Sequence, residues 1–165
     1  MPFLVLFLIA VLTAVDQFIK MMVITNLKPI DTIAFIPGFL NFTYVENIGA
    51  AFGVLSGLGW LLITLTSLTI LVLLVFIFRY KHHSFLSYTS CILIIAGGIG
   101  NLIDRIAFGY VVDYIHVQFF PYVFNFADCC VVIGAILFAI WYLFIMEKKE
   151  KGEVPKQEDD GSAEA

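Results

Sequence analysis

Four long apolar stretches dominate the chain, at about residues 3–24, 58–78, 86–106 and 123–146. Each is long enough to cross a hydrocarbon layer about 30 Å thick, which takes about 20 residues of helix. The second stretch carries no charge, whereas the other three hold polar side chains toward one end. The pattern predicts a mainly α, polytopic membrane protein with four transmembrane helices.

The segment at residues 28–57, between the first two helices, has a different pattern. Aromatic and β-branched residues are frequent between residues 39 and 52, and Pro37-Gly38 predicts a turn before them. We therefore expect a small extracytoplasmic β-sheet platform between helices 1 and 2. A tight loop at residues 49–53 should close it.

Composition agrees with a membrane protein. The chain is 61% hydrophobic and 13% charged, whereas soluble domains are about 45–50% apolar and 25% charged. More than half of the acidic residues lie after residue 146, so the net charge of −4 mainly describes the C-terminal end. We expect residues 1–150 to form the membrane domain and residues 151–165 to be a disordered, acidic, cytoplasmic tail. No basic patch favours nucleic-acid binding.

Basic residues in the short loops predict the orientation. Arg79 and Lys81 follow the second helix, and several lysines follow the fourth. Loops rich in lysine and arginine stay in the cytoplasm. Both termini should therefore be cytoplasmic, with residues 28–57 and 109–122 on the outer face.

Ionisable side chains at membrane depth indicate a functional site, because each costs about 2.5–3.5 kcal/mol even on a mild scale. Outside the C-terminal end, four acids lie in or just beyond the outer halves of helices 1, 3 and 4: Asp16, Asp104, Asp113 and Asp128. Their similar depth predicts that they meet.

For two of these acids, a basic residue lies close in the sequence and can neutralise the carboxylate. Asp16 and Lys20 are four residues apart on one helix face, in the favourable order for an ion pair. Asp104 is next to Arg105 in the sequence, and we expect Arg105 to pair with Asp104 or with a lipid phosphate. Asp16 and Lys20 are expected to tie the first helix into the bundle.

Asp113 and Asp128 have no cation at helical spacing, and the simplest partner of each is the other. Two carboxyls about 3 Å apart share one proton. One can then activate a water while the other polarises a carbonyl, as in aspartic peptidases. Helix capping or interhelical hydrogen bonding would also account for these residues, and the sequence leaves both open.

Three alternatives to the aspartate dyad are open from the residues alone. A small membrane transporter or proton pathway could use the acids, although transporters place charges near the midplane and show repeated halves. A non-enzymatic membrane scaffold would need the acids for stability alone. A serine–lysine dyad would combine Ser56 with Lys20. No His-Glu-x-x-His motif favours zinc, and no metal or cofactor is expected.

Five short motifs follow one another along the chain. They are Asp16-Gln17-x-x-Lys20, Asn47-x-Gly49-Ala50-Ala51-Phe52, Gly100-Asn101-Leu102-Ile103-Asp104-Arg105, Gly109-x-Val111-Val112-Asp113 and Phe124-Asn125-Phe126-Ala127-Asp128. In these motifs, over about residues 10–146, the chain resembles the lipoprotein signal peptidases (signal peptidase II) of bacteria.

The resemblance implies a membrane aspartic endopeptidase that removes the signal peptide from diacylglyceryl-modified prolipoproteins, cutting before the lipidated cysteine. It implies that Asp113 and Asp128 are the catalytic dyad. The other site positions of the family match Asp16, Lys20, Asn47, Asn101, Arg105 and Asn125, with Gly49 in the loop expected to clamp the substrate. Which aspartate is the base and which is the acid is open at this point.

The resemblance also implies that no metal is needed and that the peptide antibiotic globomycin inhibits the enzyme. We expect a monomer in the bacterial cytoplasmic membrane, in contact with lipid, with the active site near the outer face. Two residues depart from the family pattern: Tyr114 where phenylalanine often follows the aspartate, and Cys129 where serine is common.

Overall fold

The computed structural model describes residues 2–49, 58–81 and 83–152. It contains four long helices: α1, Pro2–Met22; α2, Gly59–Arg79; α3, Phe85–Phe108; and α4, Phe126–Gly152. A π-helical turn, Val23–Leu27, prolongs α1. All four are long and apolar enough to cross a membrane, which confirms the predicted polytopic architecture.

Two predicted boundaries differ from the structure. The fourth helix begins at Phe126 rather than near residue 123, because Val123–Phe124 pair with a neighbouring strand. It continues to Gly152, whereas the fourth apolar stretch was predicted to end near residue 146. Ala50 to Gly53 of the expected loop, Ser56 and residues 153–165 lie outside the described residues.

Helix α3 is the centre of the bundle and packs against α1, α2 and α4. It begins with a reciprocal capping box between Ser84 and Ser87 and ends at Gly109, whose φ of 81° suits a residue without a Cβ. A Cβ at Gly97 would collide with the carbonyl oxygen of Ala127 and lie 2.9 Å from the Cγ2 of Val131. The absence of a side chain at Gly97 therefore lets α3 and α4 approach closely.

Replacing Gly97 with alanine should lower the thermal stability of the folded protein. The added methyl has no room against the backbone of α4, and overpacking of this kind costs about 1–3 kcal/mol. Gly59→Ala is the matched control, because a Cβ there meets nothing within 4 Å. Unfolding followed in detergent should show a lower Tm for Gly97→Ala alone. An equal Tm in both variants would contradict the close helix approach.

A four-stranded antiparallel sheet covers one end of the bundle. Its strands, in spatial order, are β1, Thr32–Ile36; β2, Leu40–Asn47; β3, Val111–Val117; and β4, Val123–Phe124. The predicted sheet between α1 and α2 is confirmed, but β3 and β4 come from the segment between α3 and α4. The sequence prediction missed these two strands.

The pairing of β2 with β3 joins the two connecting segments. Asn47 lies opposite Val111, and Val45 lies opposite Asp113. Asp113 is thus held on a central strand rather than in a free loop, and the end of β2 lies beside it.

Candidate active site

Asp113 and Asp128, predicted as a pair, approach each other where the sheet meets α4. Asp113 is buried on β3 with 1% of its surface exposed, and Asp128 is partly buried in the first turn of α4. Asn125 lies between them. Its side-chain Nδ2 donates to Oδ1 of Asp113 at 2.6 Å, and its backbone N–H donates to Oδ2 of Asp128 at 3.2 Å.

The start of α4 fixes the orientation of Asp128. The backbone N–H of Asp128 donates to Oδ1 of Asn125 at 2.9 Å, while the Asp128 carboxylate accepts from the backbone N–H of Asn125. This reciprocal arrangement is a capping box, with Asn125 as N-cap and Asp128 three residues later. The capping alternative and the dyad interpretation therefore describe the same residue, since the cap orients the carboxylate.

Two more asparagines donate hydrogen bonds to the remaining two carboxyl oxygens of the pair. Nδ2 of Asn47 donates to Oδ2 of Asp113 at 2.8 Å, and Nδ2 of Asn101 donates to Oδ1 of Asp128 at 2.7 Å. The sequence predicted that each carboxyl would have the other as its simplest partner. In the structure, asparagine amides and one backbone N–H supply hydrogen bonds to all four carboxyl oxygens.

The pKa of Asp113 is raised to about 7. Burial is the main cause, and the negative charge of Asp128 adds to it. The hydrogen bonds from Asn47 and Asn125 stabilise the ionised form and act in the opposite direction. Near neutral pH, Asp113 can therefore both hold and release a proton, which general acid–base chemistry requires.

Behind the pair lies a buried ion cluster centred on Lys20. Its Nζ lies 2.9 Å from Oδ2 of Asp16, 3.0 Å from Oδ2 of Asp104 and 3.0 Å from Oδ1 of Asn101. The predicted Asp16–Lys20 pair is confirmed. The contact with Asn101 links this cluster to Asp128 through one amide. No group of three or more His, Cys, Asp and Glu within the described residues could hold a metal ion.

The predicted pairing of Arg105 with Asp104 is wrong. Adjacent residues on a helix point in different directions, and Asp104 binds Lys20 of α1 instead. Arg105 donates to the backbone oxygens of Asn101 at 3.4 Å and of Gly49 at 3.1 Å. It therefore ties α3 to the end of β2, where the N–H of Gly49 donates to Oδ1 of Asn47.

The structure thus brings all of the predicted site residues into one network. Asp104, which the sequence grouped with the other three acids but which was not among the site positions implied by the resemblance, belongs to it. The signal for it was present, because Asp104 is three residues after Asn101 on the same helix face.

A cavity of about 690 Å³ adjoins the aspartate pair. Its polar end contains Asn47, Asn101, Arg105, Asp113 and Asp128. Most of the remaining wall is apolar and comes from α2, α3, α4 and the β3–β4 region, including Leu62, Leu65, Ile70, Val131, Val132 and Phe124. This lining suits an apolar segment that places a polar group beside the aspartates.

Both departures from the family pattern lie close to the site. The hydroxyl of Tyr114 accepts a hydrogen bond from the backbone N–H of Phe126 at 3.2 Å, at the first turn of α4. Cys129 is a free, partly buried cysteine that lines the cavity beside Asp128. With these two residues in place, all four carboxyl oxygens of the aspartate pair accept hydrogen bonds.

Fold and site together define a multi-pass membrane protein with an aspartate pair, one buried and one partly buried, beside a mostly apolar cavity. The family model for signal peptidase (SPase) II matches residues 8–144. The chain belongs to this family.

Curated relatives and solved structures agree with the family assignment. The chain is 42% identical over 140 residues to the lipoprotein signal peptidase of Halothermothrix orenii, which covers 85% of this chain and 94% of that protein. It is 41% identical over 137 residues to that of Caldanaerobacter subterraneus, covering 83% and 94%. A solved bacterial membrane enzyme superposes with a TM-score of 0.81 at 33% identity, covering 92% of this chain and 94% of that one.

Proposed function

We propose that the protein is an aspartic endopeptidase that removes the signal peptide from diacylglyceryl-modified prolipoproteins, cutting before the lipidated cysteine. The observation that carries the proposal is the pair Asp113 and Asp128, bridged by Asn125 at the polar end of an apolar cavity. The names of the curated relatives support the same substrate class.

In this mechanism Asp113 is the acid and Asp128 is the base. Asp113 can hold the proton, because burial and the nearby charge of Asp128 raise its pKa to about 7. Asp128 lies in the first turn of α4, where the helix dipole favours a negative charge. A water between the carboxyls gives a proton to Asp128 and its oxygen attacks the scissile carbonyl, whose oxygen is hydrogen-bonded or protonated by Asp113. Collapse of the tetrahedral intermediate breaks the C–N bond, and a proton returns to the leaving amine.

The cavity can accommodate a substrate that is embedded in the lipid bilayer. The apolar walls from α2 and α4 can hold the hydrophobic part of a signal peptide or the acyl chains beside the cleavage point. A peptide that leaves its helix must find new hydrogen-bond partners, because lipid offers none. Asn47, Arg105 and Gly49 lie beside the aspartate pair and could supply them.

The proposal includes the orientation of the enzyme in the membrane. Arg79 and Lys81 lie at the bundle end opposite the sheet, which favours a cytoplasmic location for that end and for both termini. The active site then lies near the outer face of the bacterial cytoplasmic membrane. We propose a monomer, in contact with membrane lipid, that globomycin inhibits.

Activity should decline as the pH rises above about 7, because the protonated form of Asp113 is lost as the pH passes its pKa. The profile of kcat/KM against pH, measured in liposomes, checks this. Asn47→Ala removes a hydrogen bond that favours the ionised form, so the alkaline limb should move to higher pH in this variant. A limb that stays in place, or moves to lower pH, would contradict the assignment of Asp113 as the acid.

Cleavage of a purified diacylglyceryl-prolipoprotein by the full-length protein in liposomes tests the proposed function. The same precursor without its diacylglyceryl group is the matched control substrate. Release of the signal peptide from the lipidated form alone, blocked by globomycin, is the expected result. No cleavage by a folded, inserted protein would overturn the proposal, and a proton flux across the liposome membrane would favour the transporter alternative.

A further inference from the structure

A second pair of carboxylates, Asp16 and Asp104, lies directly behind the proposed dyad. Each has 1% of its surface exposed, and the ammonium of Lys20 bridges them at 2.9 and 3.0 Å. Neither lines the cavity beside Asp113 and Asp128. Their contribution to the reaction must therefore pass through other groups.

Each of these carboxylates also binds the backbone immediately before a dyad aspartate. Asp104 accepts from the backbone N–H of Val112 at 3.1 Å, one residue before Asp113. Asp16 accepts from the backbone N–H of Ala127 at 3.1 Å, one residue before Asp128. Lys20 thus joins, through two carboxylates, the strand that carries one aspartate and the helix that carries the other.

We propose that Asp16, Lys20 and Asp104 form a backbone clamp that sets the separation of the two dyad aspartates, with Asp104 as a positioning residue. This inference rests on the proposed function. It extends that function by assigning a task to Asp104, and it replaces the simpler expectation that Asp16 and Lys20 only anchor the first helix.

Neighbouring contacts hold the clamp in one arrangement. Nε2 of Gln17 lies 3.2 Å from Oδ2 of Asp16, 3.0 Å from Oδ1 of Asp104 and 3.1 Å from the backbone oxygen of Gly100. A Cβ at Gly100 would collide with the carboxylate of Asp16, so the glycine leaves room for it. Because these groups are almost fully buried, their electrostatic interactions are little weakened by water.

A helix anchor and a clamp predict different kinetics. An anchor would change the amount of folded protein but leave the folded enzyme equally active. A clamp determines whether both carboxyls reach one water, and a displacement of about 1 Å can cost about 10²-fold in rate. Since the clamp does not touch the cavity, the loss should fall on kcat with KM essentially unchanged.

The test compares Asp104→Asn, Asp16→Asn and the double variant in liposomes, with the same lipidated precursor. Rates are normalised to the folded, inserted protein, as judged by its Tm in detergent. Asp31→Asn is the control: it makes the same chemical change at an exposed acid outside the site, and its φ of 66° is one that asparagine tolerates. We expect kcat to fall about 10²-fold in each single variant and not to change in the control.

The double variant shows whether the two carboxylates act as one unit. If the three residues act as a clamp, loss of either carboxylate is enough to let the two dyad aspartates move. The double variant should then have a kcat only slightly below that of the slower single variant. Effects that multiply, or an unchanged kcat in folded Asp16→Asn, would overturn the clamp. The N–H of Ala127 and the ammonium of Lys20 bind different oxygens of Asp16, and the single oxygen of an amide cannot keep both contacts. An inactive wild-type enzyme would instead refute the proposed function, so the two failures are distinguishable.

Gln17→Met decides the question if the charged variants do not fold. It removes only a neutral amide, keeps a similar volume and leaves Lys20 with both carboxylates. The clamp predicts a severalfold loss of kcat in this variant at unchanged KM. A kcat equal to that of the wild type would contradict it.

Discussion

Asparagine in place of Asp113 or Asp128 is expected to abolish cleavage of the lipidated precursor. The change keeps the size of each side chain but removes the proton acceptor or donor on which the proposed reaction depends. General acid–base groups of this kind contribute about 10²–10⁴-fold each. Initial rates in liposomes over a long time course would measure the loss.

Each variant must also be inserted and folded, as judged by its Tm in detergent. Asp31→Asn is again the matched control, because Asp31 is exposed at the start of the sheet. Full activity of the control beside two inactive, folded variants would support the dyad. Cleavage that survives substitution at either position would rule out the dyad. The catalytic groups would then have to be sought among Asp16, Asp104 and the combination of Ser56 with Lys20.

Asn125→Ala should reduce both stability and activity strongly. Asn125 is fully buried, and its side chain caps α4, donates to Asp113 and donates to Asn101 at 3.1 Å. Loss of an N-cap costs about 0.5–2 kcal/mol, and unsatisfied buried acceptors cost about 1–3 kcal/mol. We also expect a rate lower by about 10²-fold or more, because the dyad loses its bridge.

Asn125→Ser separates the two contributions. Serine can still cap α4, but its short side chain cannot reach both Asp113 and Asn101. Its Tm should lie above that of Asn125→Ala, while its kcat stays similarly low. If serine restored the rate together with the Tm, Asn125 would be needed for capping only.

The sequence predicted the helices because each spans enough apolar residues to cross a bilayer. It predicted only part of the sheet. Val111–Val117 is a short run of mainly β-branched and aromatic residues interrupted by Asp113 and His116. Its partner β2 lies more than 60 residues earlier in the chain. Local propensity does not identify such a distant partner. For the same reason, the N-terminal part of the predicted fourth helix, Val123–Phe124, forms a strand beside β3.

The site, too, could be predicted from the sequence only in part. Asp113 and Asp128 could be proposed because no cation lies at helical spacing from either, and the motifs reinforced the choice. The partners of Asp104 could not be found in this way. Lys20 reaches it from α1, and the N–H of Val112 reaches it from β3, so both contacts exist only after the elements have packed. The neighbour in sequence, Arg105, points elsewhere.

The mostly apolar wall of the cavity has a consequence for any kinetic measurement. A space of about 690 Å³ with one polar end does not distinguish a signal peptide from other amphiphiles by hydrophobicity alone. Detergent monomers and bilayer lipids should therefore compete with the precursor for the same volume. The apparent KM should follow the mole fraction of substrate within the micelle or membrane rather than its bulk concentration, and constants measured in different amphiphiles become comparable only on that scale.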